Sequence, residues 1–233
     1  MSELFLVRHG QASFGASDYD QLSPLGAKQG EALGRYWAAQ GMVFDGVFMG
    51  PLKRHAQTLT AVSQTYPLAS ATCIPELAEH EAMEVFQHLV PQLAERGDKL
   101  GELVREMVRT GNGRLRLQAF VTFTRYWARG EVESGPYESW SAFRQRVASG
   151  IDKIIQQATS GQKLVTFTSG GVIAAATGYA LDVGHERTMR LNAAVYNGSY
   201  TVYRFSQRDG EQQFSLSQFN AIPHLTKDLQ TYI

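Results

Sequence analysis

Residues that can bind an anion directly follow an apolar run near the start of the sequence. The run Leu4–Val7 is typical of a strand buried on both faces, and Arg8, His9 and Gly10 come next. Ligands of a parallel sheet bind just beyond the carboxyl ends of its strands, where these side chains would lie. Gly10 would allow the backbone to approach a ligand closely. Taken alone, the segment is equally compatible with a surface turn that carries two basic residues.

Two further segments have features of an anion site. Arg54 falls in the first turn of a helix predicted over about 52–65, where free N–H groups and the helix dipole favour an anion. Its planar guanidinium suits phosphate oxygens, although most helix-surface arginines are simply solvated. Ser169 and Gly170 stand between a predicted strand and a helix, which is a backbone geometry for binding an oxyanion. Phe167 occupies the first glycine position of a Gly-x-Ser-x-Gly elbow, so Ser169 is not predicted to be a hydrolase nucleophile.

An acidic segment follows a short predicted strand at 71–74. Glu76, Glu79 and Glu81 each offer a carboxyl group that could act as a general acid near a leaving group. The alternative is a solvated helix start, because acidic residues favour a first helical turn. His80-Glu81 resembles the start of a zinc-protease motif, but Glu84 stands where that motif requires histidine.

Composition excludes several classes of function. The chain of 233 residues carries 22 basic and 22 acidic side chains, so no global field favours nucleic acid or anionic lipid. Cys73 is the only cysteine, which excludes an internal disulfide and a cysteine-based metal site. No metal is predicted, because the other histidines show no ligand spacing: His55, His80, His88, His185 and His224.

The predicted setting is the cytoplasm, without a membrane. No apolar run is long enough to span a bilayer, and the first strand begins with no cleavable segment before it. The aromatic cluster at 119–127 has no basic stripe beside it, so we interpret it as packing rather than as a platform for bases.

Periodicity predicts an α/β fold. The first third of the chain is predicted to contain the strand Leu4–Val7, a helix with Ser23 as N-cap and Pro24 as its first residue, a strand over Met42–Met49 and the helix over about 52–65. This order indicates a parallel sheet with crossover helices. We expect a single domain over 1–233: a three-layer α/β/α sandwich around a mainly parallel sheet. A helical insertion at about 85–140 would act as a lid. Closing strands are predicted over 193–205 and 214–219, with a turn near 208–210.

In order and spacing, these motifs together resemble the histidine phosphatase superfamily, which includes phosphoglycerate mutases and many phosphomonoesterases. At 50–58 the sequence reads Gly-Pro-Leu-Lys-Arg-His-Ala-Gln-Thr, where the family has Ser-Pro-Leu-x-Arg-Ala-x-x-Thr. The similarity frames nearly the whole chain except the block from about 85 to 140. The other segments that carry it are Leu6–Gly10, Leu22–Gln29, Leu77–Glu79, Val165–Ile173 and the Leu191-Asn192 region.

The resemblance implies a role for each matching residue. His9 would be the nucleophile that forms a phosphohistidine. Arg8 and Arg54 would bind the phosphoryl oxygens and offset their charge in the transition state. Glu79 would protonate the leaving oxygen and later help to activate water. No cofactor or metal is implied.

The sequence departs from the family pattern at the second active-site histidine. Ser169 stands in its place, and a hydroxyl donates a hydrogen bond but brings no charge. Gly170 follows it, and Gln11 and Ser13 could add polar contacts to phosphate. Phosphoglycerate mutases carry a serine and an asparagine after the first motif, where this chain has Ala12 and Gly15, which argues against a mutase.

The leading hypothesis is a phosphohydrolase whose ligand is a small phosphorylated metabolite or inorganic phosphate. The alternative is a phosphate-binding or regulatory module with weak or lost catalysis, and a phosphomutase is less favoured. The sequence leaves open the substrate, the oligomeric state and the choice among Glu76, Glu79 and Glu81.

Overall fold

A computed structural model describes residues 1–13, 20–208 and 211–232. Its strands, in chain order, are β1 Ser2–Arg8, β2 Gly46–Met49, β3 Thr72–Cys73, β4 Lys163–Thr168, β5 Tyr200–Arg208 and β6 Glu211–Ala221. They form one mixed sheet in the order β3-β2-β4-β1-β5-β6. The first four strands of that order are parallel, and β5 and β6 are antiparallel to their neighbours.

Helices flank both faces of this sheet, which confirms the predicted α/β fold. The α-helices of the described residues are α1 Pro24–Ala39, α2 Lys53–Ser63, α3 Ala82–Ala94, α4 Lys99–Thr110, α5 Gly113–Ala128, α6 Trp140–Gln156, α7 Gly170–Ala180 and α8 His185–Asn192. Short 3-10 helices occupy Pro75–Leu77 and Lys227–Leu229.

Alternate residues of β1 belong to two different apolar cores. Leu4 and Leu6 pack in the larger core with residues of α3 to α7, and Phe5 and Val7 pack in the smaller core with α1 and α2. Successive side chains of a strand point to opposite faces, so a strand covered on both faces must be apolar throughout. Burial of β1 on both faces therefore explains why Leu4–Val7 is apolar at every position.

The first helix begins where the sequence indicates. Ser23 is the N-cap of α1, and its hydroxyl accepts a hydrogen bond of 3.1 Å from the N–H of Gly26. Pro24 is the first helical residue. A backbone N–H at this position would have no partner within the helix, so its absence in proline costs no hydrogen bond. This cap holds the helix that packs against the end of β1.

The predicted strands and helices differ from the structure mainly in the last third. Residues 185–192 form α8, which the sequence analysis did not assign, because only Thr188 and Met189 of this polar segment are buried. Residues 193–199 form turns rather than the start of a strand, and Gly198 adopts a positive φ of 71° there. β2 is also shorter than predicted, since it starts at Gly46 instead of Met42. The predicted turn near 208–210 involves Asp209 and Gly210, which lie outside the described residues.

The block at 85–140 is helical as expected and contributes aromatic side chains to the larger core. Phe123, Trp127 and Trp140 are at most 2% exposed and pack with Phe143 of α6. The bounds of the insertion and its action as a lid stay predictions.

A close approach between the turn after β1 and the start of α1 predicts that Gly10 tolerates no side chain. A Cβ added at Gly10 would lie 2.3 Å from the carbonyl oxygen of Gly26. We expect Gly10→Ala to lower the free energy of unfolding by about 1–3 kcal/mol, the usual cost of overpacking, in a denaturant titration. Gly97→Ala is the matched control, because its Cβ would meet nothing within 4 Å. Equal stability of the two variants would contradict this packing argument.

Candidate active site

The predicted site residues meet because the strands that precede them are neighbours in the sheet. Arg8 is in register with Thr168 of β4, and the N–H of His9 donates to the Thr168 carbonyl over 2.8 Å. His9 and Ser169 therefore leave the sheet side by side. On the other side of β4, Met49 is in register with Phe167, which brings the start of α2 to the same edge.

His9 is held as a neutral imidazole with one nitrogen free. It is 6% exposed, and its Nδ1 lies 2.7 Å from the carbonyl oxygen of Gly10. Because a carbonyl oxygen only accepts, the proton must be on Nδ1, and Nε2 keeps its lone pair. Burial lowers the pKa of His9 well below its usual range, and the positive charges of Arg8 and Arg54 and a charge on His55 lower it further. The result is an uncharged imidazole nitrogen close to two cations.

A short chain of hydrogen bonds connects the end of β1 to α2. The N–H of Gly10 donates to Thr58 Oγ1 over 3.1 Å, and that hydroxyl donates to the Arg54 carbonyl over 2.7 Å. Thr58 is fully buried. Thr58 therefore fixes the distance between the turn at Gly10, after β1, and the first turn of α2.

Both arginines are anchored by their own hydrogen bonds. The guanidinium of Arg8 donates from Nη1 to the carbonyl of Val195, and it packs against Gly170, where a Cβ would lie 3.3 Å from Arg8 Nε. Arg54 forms an ion pair of 2.9 Å with Asp20 through Nη1. The Asp20 carboxylate also accepts from the N–H groups of Lys53 and Arg54, at 2.9 and 3.4 Å, so it caps α2 from the segment that precedes α1.

Glu79 lies at the N-terminus of α7. Its Oε2 accepts from the N–H of Gly171 over 3.1 Å, and its Oε1 accepts from the N–H of His80 over 2.9 Å. Burial would raise the pKa of Glu79, but the charges of His80 and Arg54 and the two backbone N–H groups hold it below its usual value. Without a ligand the carboxylate is ionised at neutral pH.

Glu76 and Glu81, the other two candidates for the general acid, make different contacts from Glu79. Glu76 forms an ion pair with Lys153, and that hydrogen bond is the main reason why the pKa of its carboxyl is lowered. Glu81 is an exposed residue at the N-terminus of α3. The geometry therefore favours Glu79 among the three.

Ser169 is fully buried, and its hydroxyl contacts a histidine that the sequence analysis took for a surface or core residue. Its Oγ lies 2.7 Å from Nε2 of His55, which is also fully buried. Burial and the charge of Arg54 lower the pKa of His55 to about 4, so its imidazole is neutral. The signal in the sequence is the histidine at position 55, where the resembling motif has alanine.

Gln11 and Ser13 use their side chains within the turn after β1. The Gln11 carboxamide oxygen accepts from Ser23 Oγ over 2.9 Å, and Ser13 Oγ donates to the Leu22 carbonyl over 3.0 Å. Both residues are partly exposed. Their contact with phosphate, like that of Ser169 and Gly170, stays a prediction.

His80 and Asn192 are two further residues that the sequence analysis did not place in the site. Nδ1 of His80 accepts from the N–H of Ala82 over 3.3 Å. Nε2 of the same ring lies 3.1 Å from Nδ2 of Asn192 and 3.6 Å from Oε1 of Glu79. The ring packs edge-on against Trp127, Trp140 and Phe143. Asn192 belongs to α8, the helix that the sequence did not reveal.

Within the described ranges, no group of three or more histidine, cysteine, aspartate or glutamate side chains is arranged to hold a metal ion. Among the same residues, no helix is both long and apolar enough to cross a membrane.

The sequence was compared with models of protein families, and one model matches most of the chain. Residues 4–107 and 114–218 match the model of the histidine phosphatase superfamily (branch 1). The chain belongs to this superfamily. The matched ranges include β1, α2, the Glu79 loop and α7, so every group described above lies within them.

Solved structures of other proteins share the fold at low sequence identity. A phosphoserine phosphatase from Entamoeba histolytica, in complex with phosphoserine, is 18% identical, with a TM-score of 0.66 over 97% of this chain and 100% of that one. A mycobacterial glucosyl-3-phosphoglycerate phosphatase is 18% identical, with a TM-score of 0.62 over 94% and 98%. The Bacillus stearothermophilus protein YhfR is 17% identical, with a TM-score of 0.66 over 96% and 99%.

A search of curated proteins gives no match. The structural likeness therefore establishes the fold of the histidine phosphatase superfamily, and the chemistry of this member has to be argued from its own residues.

The buried His55 predicts a specific pH dependence of stability. Its pKa falls from 6.5 in the unfolded chain to about 4 in the folded one, so the unfolded chain binds more protons between these values. Stability is therefore lost as the pH falls from 6.5 toward 4. We expect His55→Gln to reduce that slope by up to about 1.4 kcal/mol per pH unit in denaturant titrations. His88→Gln, at an exposed position, is the control, and parallel curves for all three proteins would contradict the prediction.

Proposed function

We propose that this chain is a phosphatase that transfers a phosphoryl group from a small phosphate ester to Nε2 of His9 and then to water. The observation that carries the proposal is the hydrogen bond from Nδ1 of His9 to the Gly10 carbonyl. It leaves Nε2 unprotonated in a buried position beside Arg8 and Arg54. A neutral nitrogen that faces bound anionic oxygens is suited to attack phosphorus.

In the first step, Arg8 and Arg54 bind the phosphoryl oxygens and reduce the charge that Nε2 of His9 approaches. The bond from Nε2 to phosphorus forms while the bond from phosphorus to the ester oxygen breaks. The hydrogen bond at Nδ1 stabilises the positive charge that develops on the ring as Nε2 becomes bonded. The leaving oxygen then requires a proton.

Glu79 is the group that we assign to this proton transfer. Its carboxylate starts ionised, and a bound phosphate adds negative charge nearby, which raises its pKa and favours uptake of the proton that it passes on. In the second step the same carboxylate, ionised again, removes a proton from the attacking water. The water oxygen bonds to phosphorus as the bond from Nε2 to phosphorus breaks, which releases inorganic phosphate and restores the neutral His9 ring. The backbone N–H groups of Gly171 and His80 hold this carboxylate at the N-terminus of α7, and Asn192 contacts the His80 ring beside it.

The proposed ligands are small phosphorylated metabolites or inorganic phosphate, and the cytoplasm stays the predicted setting. Phosphoserine and 3-phosphoglyceric acid are bound by the similar protein of Entamoeba histolytica, which supports this ligand class. Ser169, Gly170, Gln11 and Ser13 are proposed additional contacts to phosphate.

A second candidate function is phosphate binding with little turnover. The observation in its favour is that Ser169 brings no charge and uses its buried hydroxyl for His55. Loss of one preorganised transition-state donor costs roughly 10² to 10³ in rate where it has been measured. Such a protein would still bind phosphate through Arg8 and Arg54.

Removal of the nucleophile is the direct test of the phosphatase. We expect His9→Ala to reduce the hydrolysis of p-nitrophenyl phosphate to background, because Nε2 of the neighbouring imidazole, His55, is already bonded to Ser169 Oγ. Circular dichroism would check that the variant is folded, and His88→Ala, which changes an exposed histidine, should keep full activity. If His9→Ala hydrolyses the substrate as fast as the natural protein, His9 is not the nucleophile. A natural protein that binds phosphate in calorimetry but hydrolyses no member of a phosphate-ester panel would favour the binding module.

The role of Glu79 predicts a dependence on the leaving group. We expect Glu79→Gln to slow the first turnover with an alkyl phosphate by roughly 10² to 10⁴, the usual contribution of a general acid. The effect on p-nitrophenyl phosphate should be much smaller, because that leaving group needs little protonation. Rapid-quench measurement of the first turnover separates this step from hydrolysis of the intermediate. The exposed Glu81→Gln is the control, and an equal loss with both substrates would remove Glu79 as the acid.

A further inference from the structure

A second buried imidazole lies beside the nucleophile and has no role in the steps described above. The rings of His9 and His55 lie 5.9 Å apart between centroids, at an angle of 34°. His55 projects from the first turn of α2, next to Arg54, and is fully buried. The neighbours of this imidazole are polar, since it lies beside His9 and Arg54 and its Nε2 is 2.7 Å from Ser169 Oγ. Its position therefore indicates more than apolar packing.

The hydroxyl of Ser169 is available to His55 because Glu79, rather than Ser169, caps the N-terminus of α7. Ser169 is the N-cap of α7, but its side chain makes no capping hydrogen bond. The N–H of Gly171 donates instead to the carboxylate of Glu79. Ser169 Oγ can therefore form its 2.7 Å hydrogen bond with Nε2 of His55.

The opposite edge of the His55 ring is fixed by the backbone. A Cβ added at Gly50 would lie 2.5 Å from Nδ1 of His55, so the ring fits against the bare backbone of Gly50. The imidazole is thus held between the end of β2 and the Ser169 hydroxyl. The hydrogen bond on one edge and the close packing on the other oppose rotation of the ring, which lies 5.9 Å from the ring of His9.

We propose that His55 is a positioning residue: held by Ser169, it fixes the ring of His9 so that Nε2 faces the phosphoryl group. This inference rests on the proposed phosphatase function. The hydrogen bond to Gly10 holds one edge of the His9 ring, and His55 supports the ring from the side of α2. Fixing the nucleophile in this way reduces the cost of aligning it with phosphorus. The simplest alternative is that His55 only fills space.

Two substitutions at position 55 separate these explanations. His55→Gln places an amide close to the position of Nε2, so it can keep the hydrogen bond to Ser169 Oγ. His55→Asn is shorter and loses that bond, and His55→Phe fills the space without any hydrogen bond. Ser169→Ala removes the partner, and the double variant Ser169→Ala with His55→Asn tests whether both act through one contact. Ser134→Ala, which removes a buried hydroxyl bonded to Trp127, is the control for burial.

Two measurements are made on each variant: kcat and KM with p-nitrophenyl phosphate, and the ring signals of His9 in ¹⁵N NMR. We expect the Asn, Phe and Ser169→Ala variants to lose about tenfold in kcat, the rate equivalent of one lost hydrogen bond. The Asn and Phe variants should keep an unchanged KM, whereas Ser169→Ala should raise KM as well, because Ser169 is also a proposed contact to phosphate. The double variant should lose no more than either single variant. The Gln variant should stay near the natural rate and keep the single Nδ1–H tautomer of His9.

Full kcat and unchanged His9 signals in His55→Phe would overturn the proposal, because space filling would then suffice. The same holds if the Gln and Asn variants are equally impaired. If the natural protein hydrolyses nothing, the proposed function fails. The NMR comparison of His9 in the Gln and Asn variants still decides whether His55 positions the ring.

Discussion

The site depends on keeping an uncharged imidazole buried between two guanidinium groups. A charged His9 would be repelled by Arg8 and Arg54 and would lose its hydration, so both effects favour the neutral ring. Neutrality alone does not say which nitrogen carries the proton. The hydrogen bond to the Gly10 carbonyl decides this and leaves Nε2 with its lone pair. The close turn at Gly10 is what places that carbonyl within reach of the ring.

The remaining groups are held by the ends of secondary structure rather than by one another. Asp20 caps α2 and pairs with Arg54, and Glu79 caps α7. Each carboxylate thus serves a helix N-terminus and the site at once. These contacts hold both carboxylates in place, and since a helix N-terminus stabilises a negative charge, the Gly171 N–H also helps to keep the pKa of Glu79 below its usual value. The fold therefore supplies the electrostatics of the site without a bound metal or cofactor in the proposed steps.

The sequence was informative wherever a residue lies within a few positions of a clear boundary. The continuous apolar run of β1 and the Ser23-Pro24 cap identified the strand end and the first helix, and hence Arg8, His9 and Gly10. The sequence did not reveal that the His55 side chain points toward Ser169. That direction depends on how α2 is rotated against the sheet and on the position of β4 between β1 and β2. Asn192 was missed for a related reason, since α8 buries too few apolar residues to show a helical period.

The proposed reaction requires that Nε2 of His9 becomes phosphorylated. This can be tested by mixing the protein with a phosphate ester, quenching it in alkali within the first turnover, and analysing the peptide that contains position 9 by mass spectrometry and ³¹P NMR. We expect an acid-labile phosphate on His9, bonded at Nε2 and absent from the His9→Ala variant. Phosphate at Nδ1, on another residue, or on no residue during active hydrolysis would contradict it.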